Sequence, residues 1–156
     1  MKNRILVLGM VLALVAALAV PVVALAGSTG TTTVTGTQAS IIEVTAPSAI
    51  SFGTFSVGWN SKYSDTAGTV ACNGTTWHVD AKDEKTPNAG LMTSGSNTLA
   101  GKLQISKVDS GYVGADAGIT YTNTTTLPFY VKQNVLASDK AGAYTITITF
   151  TGVIDS

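Results

Sequence analysis

The sequence predicts an all-β domain, specifically an immunoglobulin-like antiparallel sandwich of two sheets, with a jelly roll as the alternative. Beyond the N-terminal leader, Thr, Gly, Ser, Ala and Val dominate. Thr and Val lose side-chain freedom in a helix but suit a pleated sheet. Short segments of alternating apolar and polar residues recur between stretches rich in Gly, Asn, Asp and Ser, a pattern typical of sandwiches.

The first 26 residues predict a signal peptide. Lys2 and Arg4 form a basic head, an apolar run follows, Pro21 breaks it, and Ala24-Leu25-Ala26 matches a small-x-small cleavage site. The apolar run is also about long enough to span a bilayer, so an uncleaved anchor is the alternative. We expect a secreted, extracellular protein at the cell surface, with no membrane contact after the leader is cleaved.

The charge and the cysteine count exclude several classes of function. Removing the leader leaves seven Lys against nine acidic residues, a net charge near −2. Nucleic-acid binders need a basic stripe, so we expect no nucleic-acid partner. The single Cys forms no internal disulfide, and the single His is too few for a histidine metal site. We therefore expect no metal and no cofactor.

Residues 27–38 and 39–156 differ in composition. The first stretch is almost entirely Gly, Ser and Thr, which predicts a flexible lead-in. Its threonines are also good strand-formers, so pairing with an edge strand of another copy, as in an extracellular filament, is the alternative. The second stretch is predicted to be a single sandwich domain.

The strands are predicted in order along the domain. A first strand over 41–45 ends at Pro47, and a second covers 50–57, where a bulge at Gly53 would keep all four apolar side chains inward. Asn73-Gly74 is a strong hairpin signal between 69–72 and 77–81. One continuous strand with a bulge is the alternative there. Later strands are predicted around Leu103 and Ile105, Ile119 and Tyr121, and Phe129 and Val131.

The last predicted strand, 142–151, has a period of two without an error. One face carries Tyr144, Ile146, Ile148 and Phe150, and the other carries four threonines. We expect the aromatic and aliphatic face in the core and the hydroxyl face toward water or a neighbouring strand.

Catalytic and metal-binding patterns are weak. His78 and Asp80 share the outer face of one strand, but no nucleophile elbow or phosphate loop accompanies them. We expect a solvated histidine and no catalytic residue. The only carboxylates that resemble calcium ligands are Asp80, Asp83, Glu84, Asp109 and Asp116. They lack regular spacing and are interleaved with Lys, so we expect ordinary solvated charges.

Several single residues have two interpretations. Cys72 is expected to be a small buried hydrophobe, with an intermolecular disulfide as the alternative. Trp77 is expected in the core. Trp59 and Tyr63, in what looks like a loop, and Tyr112 in a later loop are candidate exposed ligand contacts. Asn73 and Asn123 match the glycosylation pattern.

Two short motifs resemble those of WxL-type domains of bacterial cell-surface proteins. Trp77-His78-Val79 is similar to the early Trp-x-Leu, with Val in place of Leu. The stretch from Tyr144 through Ile148 and Phe150 to Gly152 is similar to the distal Tyr-x-x-x-aliphatic-x-Trp-x-Leu, with Phe for Trp and Gly for Leu. The resemblance covers roughly 41–151. It implies a secreted β-sandwich at the cell wall in which these are core positions.

The pattern as a whole favours a non-enzymatic structural or adhesive protein of the cell surface or cell wall. Threonine-rich faces, few charges and the absence of a catalytic motif all point this way. Its expected partner is a cell-wall or envelope polymer, or another copy of itself through an edge strand. A small carbohydrate-binding module is the alternative, and it requires Trp59, Tyr63 and Tyr112 to converge at one end of the sandwich.

Overall fold

Strands make up all the regular secondary structure in the computed structural model, which describes residues 32–155. The predicted all-β class is therefore confirmed, and the antiparallel sheets are arranged as a sandwich. The immunoglobulin-like connectivity stays a prediction. The twelve strands of the described range are β1 Ile42–Thr45, β2 Gly58–Tyr63, β3 Gly68–Cys72, β4 Trp77–Lys82, β5 Thr93–Ser94, β6 Asn97–Thr98, β7 Gln104–Ser106, β8 Val113–Gly114, β9 Ile119–Thr122, β10 Thr126–Leu127, β11 Tyr130–Val135 and β12 Thr149–Ile154.

The N-terminal predictions fall mainly outside this range. The leader 1–26 and residues 27–31 of the lead-in are not among the described residues. Residues 32–38 are exposed and form no strand, and the compact unit that carries the sheets begins at Ala39. In the described part of the chain there is no helix long and apolar enough to cross a membrane.

One layer of the sandwich is a long antiparallel ribbon. β2 and β3 follow each other along the chain and run opposite β11 and β10, with Gly58 facing Val135 at one end and Thr69 facing Thr126 near the other. β1 extends the ribbon beside β3, and β7 and β8 extend it beside β11. The sheets β1-β3-β10 and β2-β11-β7-β8 are thus joined lengthwise, because β10 continues almost directly into β11.

The second layer is the sheet β12-β4-β9, with β4 at its centre. Trp77, Val79 and Ala81 on β4 are buried, and the two flanking strands place Gly152 and Tyr121 opposite Val79. Because alternate residues of a strand point to opposite faces, these apolar residues all lie on the face of the sheet that packs against the core.

The core lies between the layers in two clusters. The buried members of the first are Met92, Leu99, Leu103, Ile105, Ala115, Phe129 and Val131. Those of the second are Val70, Trp77, Val79, Ala81, Tyr121 and Leu127. Three side chains contact both clusters and thereby link the two parts of the core: Ile119, Ile148 and Phe150.

The predicted strand over 50–57 is wrong. This segment forms no strand, and Gly53 has a φ of +69°, so the chain turns there instead of forming a bulge. Val57, predicted to point inward, is 71% exposed. The three apolar residues that do pack on the core are Ile50, Phe52 and Phe55.

The predicted hairpin at Asn73-Gly74 is also wrong, and so is the continuous strand. β3 and β4 belong to different sheets, and 73–76 is the crossing between the two layers. Neither Asn73 nor Gly74 has the positive φ that a tight hairpin turn requires. The Asn73 side chain instead accepts a hydrogen bond from Ile41 N at 2.6 Å and donates one to Ala39 O at 3.1 Å.

The C-terminal alternation is confirmed in burial but only partly in pairing. From Tyr144 to Ile154 every second residue is half-buried and those between are exposed. Regular pairing with β4 begins only at Thr149, which faces Lys82. Ahead of it, Thr145 forms a single bridge with Thr93, because β4 ends at Lys82.

Candidate functional site

The predicted ligand contacts lie on the outer face of the four-stranded sheet. Trp59 and Tyr63 are on β2, an edge strand, and not in the loop that the sequence suggested. They are two full periods apart, so both side chains are on the same face, and they are 53% and 62% exposed. At a rise of about 3.4 Å per residue, they are separated by about 13 to 14 Å along the strand.

The neighbouring strand adds two residues that the sequence analysis missed. Phe129, Val131 and Gln133 are buried in the core. Tyr130 and Lys132, at the opposite parity, therefore lie on the outer face, beside Tyr63 and Ser61 of β2. The prediction of a strand through Phe129 and Val131 already contained this signal, since alternate residues of such a strand point outward.

The Lys132 ammonium lies close to two aromatic rings of this surface. Its ammonium Nζ lies 4.5 Å from the centroid of the Trp59 ring and 5.8 Å from that of Tyr112. Lys132 takes part in none of the four ion pairs found among residues 32–155. Its charge is therefore held by aromatic rings, an arrangement stabilised by roughly 0.5 to 1 kcal/mol at exposed sites.

The tyrosines are held in place by local contacts. The Tyr63 and Tyr130 rings are tilted against each other with centroids 5.9 Å apart. Tyr112 donates a hydrogen bond from its hydroxyl to Asp109 Oδ1 at 2.7 Å. Burial, reinforced by this carboxylate, raises the pKa of Tyr112 to about 12, so its hydroxyl stays protonated throughout the neutral range.

We call this surface the aromatic face. Its members are Trp59, Tyr63, Tyr112, Tyr130 and Lys132. Tyrosine and tryptophan rings offer flat apolar surfaces with a polar edge, and a large exposed apolar patch typically marks a contact site. The rings are suited to stack on the apolar faces of sugar rings, while the Lys132 ammonium and the tyrosine hydroxyls are suited to hydrogen-bond with hydroxyl or acidic groups. The three predicted residues thus converge along a sheet face and not at one end of the sandwich.

His78 lies on the outer face of the other layer. Its Nδ1 is 2.8 Å from Asp155 Oδ1, and its Nε2 is 3.7 Å from Asp80 Oδ2. Asp80 also accepts a hydrogen bond of 2.6 Å from the Thr120 hydroxyl. In the described range no hydroxyl group hydrogen-bonds to either imidazole nitrogen, as the base of a nucleophilic triad would require.

The five carboxylates named as calcium-like are dispersed. Glu84 pairs with Lys82 at 3.3 Å, and Asp109 is held by Tyr112. Lys102 donates a hydrogen bond to Asp116, which holds the pKa of that carboxyl below its usual range. Across residues 32–155 no three potential ligand residues come together to form a metal site.

The prediction that Asp83 carries an ordinary solvated charge is wrong. Its side chain is only 4% exposed. The carboxylate accepts hydrogen bonds from Gly90 N at 2.7 Å and from Lys85 N at 3.1 Å. A buried carboxylate is tolerated when such donors satisfy it, so Asp83 has the structural task of closing the loop after β4.

The remaining predicted residues have the following surroundings. Cys72 is a free, half-buried thiol packed against the second core cluster, and its Sγ accepts a hydrogen bond from Gly74 N at 3.3 Å. The Asn73 amide is engaged with β1, as described above. Asn123 has a φ of +47° and accepts a hydrogen bond from Trp77 N at 2.9 Å. Glycosylation of either asparagine stays a prediction.

The positions of the WxL-like motifs that were expected in the core all contact it. Trp77 is 7% exposed and Val79 is fully buried. Tyr144, Ile148 and Phe150 are half-buried and pack against the first cluster. No protein-family model matches the chain, and a search of curated proteins found no significant match. The resemblance therefore stays a prediction.

Proposed function

We propose that this protein is a secreted, non-enzymatic module of the cell surface that adheres to a cell-wall or envelope polymer through its aromatic face. The observation that supports the proposal is the Lys132 ammonium lying between the rings of Trp59 and Tyr112 on an exposed sheet. The contacts among these side chains stabilise the fold only slightly, so the exposure of such large rings is better explained by a partner.

The chemistry of the face favours a polysaccharide partner. Trp59 and Tyr63 are about 13 to 14 Å apart along β2, a span that requires an elongated ligand of several sugar rings. The aromatic face is almost free of acidic groups, apart from the Asp109 carboxylate, which accepts a hydrogen bond from Tyr112. The second candidate function is a carbohydrate-binding module. It differs from the adhesive module only in that it would recognise the free glycan.

The cell-surface setting draws on the predicted signal peptide and on the resemblance to WxL-type domains. Gly152 stands where that family has Leu, so we attribute polymer attachment to the aromatic face and not to the motif. The proposed sandwich is of the immunoglobulin-like type.

A sedimentation assay with insoluble polysaccharides tests this proposal. The protein is mixed with peptidoglycan sacculi, cellulose or chitin, and the bound fraction is measured after centrifugation. We expect at least one polymer to retain the protein and Trp59→Ala to weaken retention about tenfold, corresponding to about 1.4 kcal/mol. Val153→Ala is the matched control, because Val153 is exposed on the outer face of the opposite layer.

The same assay separates the two candidates. Competition by soluble oligosaccharides of the retained polymer indicates a carbohydrate-binding module. Retention that resists those oligosaccharides but is lost with Lys132→Met or high salt indicates adhesion to an anionic envelope polymer. If no polymer retains the protein, or if Trp59→Ala is retained as well as the parent, the proposed role of the aromatic face is wrong.

A further inference from the structure

The structure has an open apolar cleft that is lined by no residue of the aromatic face. It consists of two adjoining hollows of about 680 and 270 Å³. Residues 46–57 form one wall, and 143–148 form much of the other. The residues common to both hollows are Ile50, Phe52, Met92, Tyr144 and Thr145. Most of these apolar side chains are only half-buried, so the cleft leaves the first core cluster partly uncovered.

Both walls of the cleft have backbone groups without strand partners. Within 143–148, Thr145 alone makes backbone hydrogen bonds to the described residues, both with Thr93 at 2.9 Å. Residues 49–57 make no backbone-to-backbone hydrogen bond within the described range. The 49–57 wall turns at Gly53, whereas 143–148 has the alternating burial of an extended segment. An apolar floor beside such an extended segment without a strand partner is the arrangement that accepts an added β-strand.

The chain itself supplies a segment of the required kind. Residues 32–38 are exposed and unpaired, and most of them are threonines, which favour strands. Val34, the one aliphatic residue among them, is 90% exposed. Seven extended residues cover about 23 Å, which matches the roughly 20 Å of the 143–148 wall.

The segment is attached to the domain at Ala39, and the registers of the sheets place Ala39 and the cleft at opposite ends of this domain. Asn73 anchors Ala39 beside the Cys72 end of the ribbon. The larger hollow is lined by Val135, which faces Gly58 at the other end of the ribbon. From Ala39 to the start of the cleft wall at Ala46, a fully extended chain covers roughly 24 Å. Seven residues attached at Ala39 reach about 23 Å, so residues 32–38 are too short both to cross this distance and to line the cleft of their own chain.

We propose that the cleft accepts residues 32–38 of a second copy of this chain as an added strand. Val34 enters the apolar cleft, and backbone hydrogen bonds form with the 143–148 wall. Because the donor segment is attached at the end of the domain opposite the cleft, the contact joins copies head to tail. Such heterologous contacts produce a filament when the rotation between copies does not close a ring.

Two variants that each remove one half of the contact test this inference. The full chain is expressed and the recovered protein is examined by size-exclusion chromatography with light scattering and by electron microscopy. Val34→Asp places a charge on the donor strand. Ala143→Arg places a long charged side chain at an exposed position of the cleft wall, where the fold should tolerate it. Val108→Asp is the control, because Val108 is also exposed but lies outside the cleft.

We expect the parent and Val108→Asp to form oligomers that grow with concentration, and the assembled fraction of Val34→Asp and Ala143→Arg to fall at least tenfold. Mixing these two variants should restore a dimer with one chain of each, since Val34→Asp keeps an intact cleft and Ala143→Arg keeps an intact donor. Circular dichroism verifies that each variant is folded.

Three outcomes would overturn the inference. These are a parent that stays monomeric over a wide concentration range, a Val34→Asp variant that assembles like the parent, and a mixture that forms no heterodimer. A monomer whose melting temperature falls on Val34→Asp without any change in size would show that the segment covers the cleft of its own molecule. Polysaccharide retention should be unchanged in both variants, so failure of this inference is distinguishable from failure of the adhesive function.

Discussion

Gly152 of β12 lies directly against Val44 of β1. A Cβ atom built on Gly152 would be 2.8 Å from Val44 Cγ2 and 2.9 Å from Ile42 Cδ1. The two strands belong to different layers, so the missing side chain permits the close approach of the sheets at this point. The WxL-type motif has Leu at the matching position, and in this molecule a leucine there would require β1 to move.

Gly152 should therefore tolerate no side chain. We expect Gly152→Ala to lower the free energy of unfolding by about 1 to 3 kcal/mol, the usual cost of overpacking, and Gly152→Leu to lower it further. Urea denaturation measures the change. Gly36→Ala is the control, since no atom lies within 4 Å of a Cβ at Gly36. Adding Val44→Ala to Gly152→Ala should restore part of the loss, and an unchanged loss would contradict the contact.

The two tryptophans, Trp77 and Trp59, differ in burial and should therefore differ in their contribution to stability. Trp77 is 7% exposed within the second core cluster, and Trp59 is 53% exposed on the aromatic face. We expect Trp77→Ala to cost about 3 to 5 kcal/mol because it leaves a cavity, and Trp59→Ala to change stability by less than about 1 kcal/mol. Melting temperatures of the two variants provide the comparison. A Trp77→Ala protein that melts close to the parent would show that Trp77 is not a core residue.

Asp83 should contribute to stability although it is a buried acidic residue. Asn at this position puts an amide NH₂ against the N–H of Lys85 or Gly90. We expect Asp83→Asn to lower the free energy of unfolding by about 1 to 3 kcal/mol, since one buried donor loses its acceptor. Glu84→Gln, a neighbouring change at an exposed position, should have little effect. Equal effects of the two changes would argue against the loop-closing role.

Asp116 should make a small, pH-dependent contribution. Lys102 lowers its pKa in the folded state, so the stabilisation is complete above the unfolded value of about 3.9 and is lost as the pH falls through the folded pKa. Because the pair is exposed, we expect Asp116→Asn to cost less than about 1 kcal/mol at pH 7. The cost should vanish at low pH. Asp65→Asn is the control, because Asp65 is exposed and forms no ion pair among residues 32–155. A cost that persists in acid would assign the effect to packing.

Folding should need neither a metal nor a disulfide. Among the described residues no three potential metal ligands come together, and Cys72 is a free thiol. We expect the melting temperature to be unchanged by a chelator and by a reducing agent. A drop with the chelator would point to ligands that these contacts do not reveal, and a drop with the reductant would point to a disulfide between copies.

The faces of the strands were predictable from the sequence because alternation is a local property of an extended chain. Trp77 and Val79 point inward, and the half-buried positions from Tyr144 to Phe150 have the predicted parity. The exposure of Trp59 and Tyr63 was predicted as well, although the strand that carries them was not. In each case the residue's own neighbours in sequence contain the information.

The partners of each strand were decided by the tertiary structure. Asn73-Gly74 has the local preference for a hairpin, yet β3 pairs with β1 and β10, and the chain crosses to the other layer. In the same way, Lys132 reaches Trp59 only because β11 pairs with β2, far away in sequence. Pairing is selected by the burial of two complete faces, which no short stretch of residues encodes. Within the regular strands the sequence by itself thus determined which side chains face water, and only the tertiary structure brought them together into one surface.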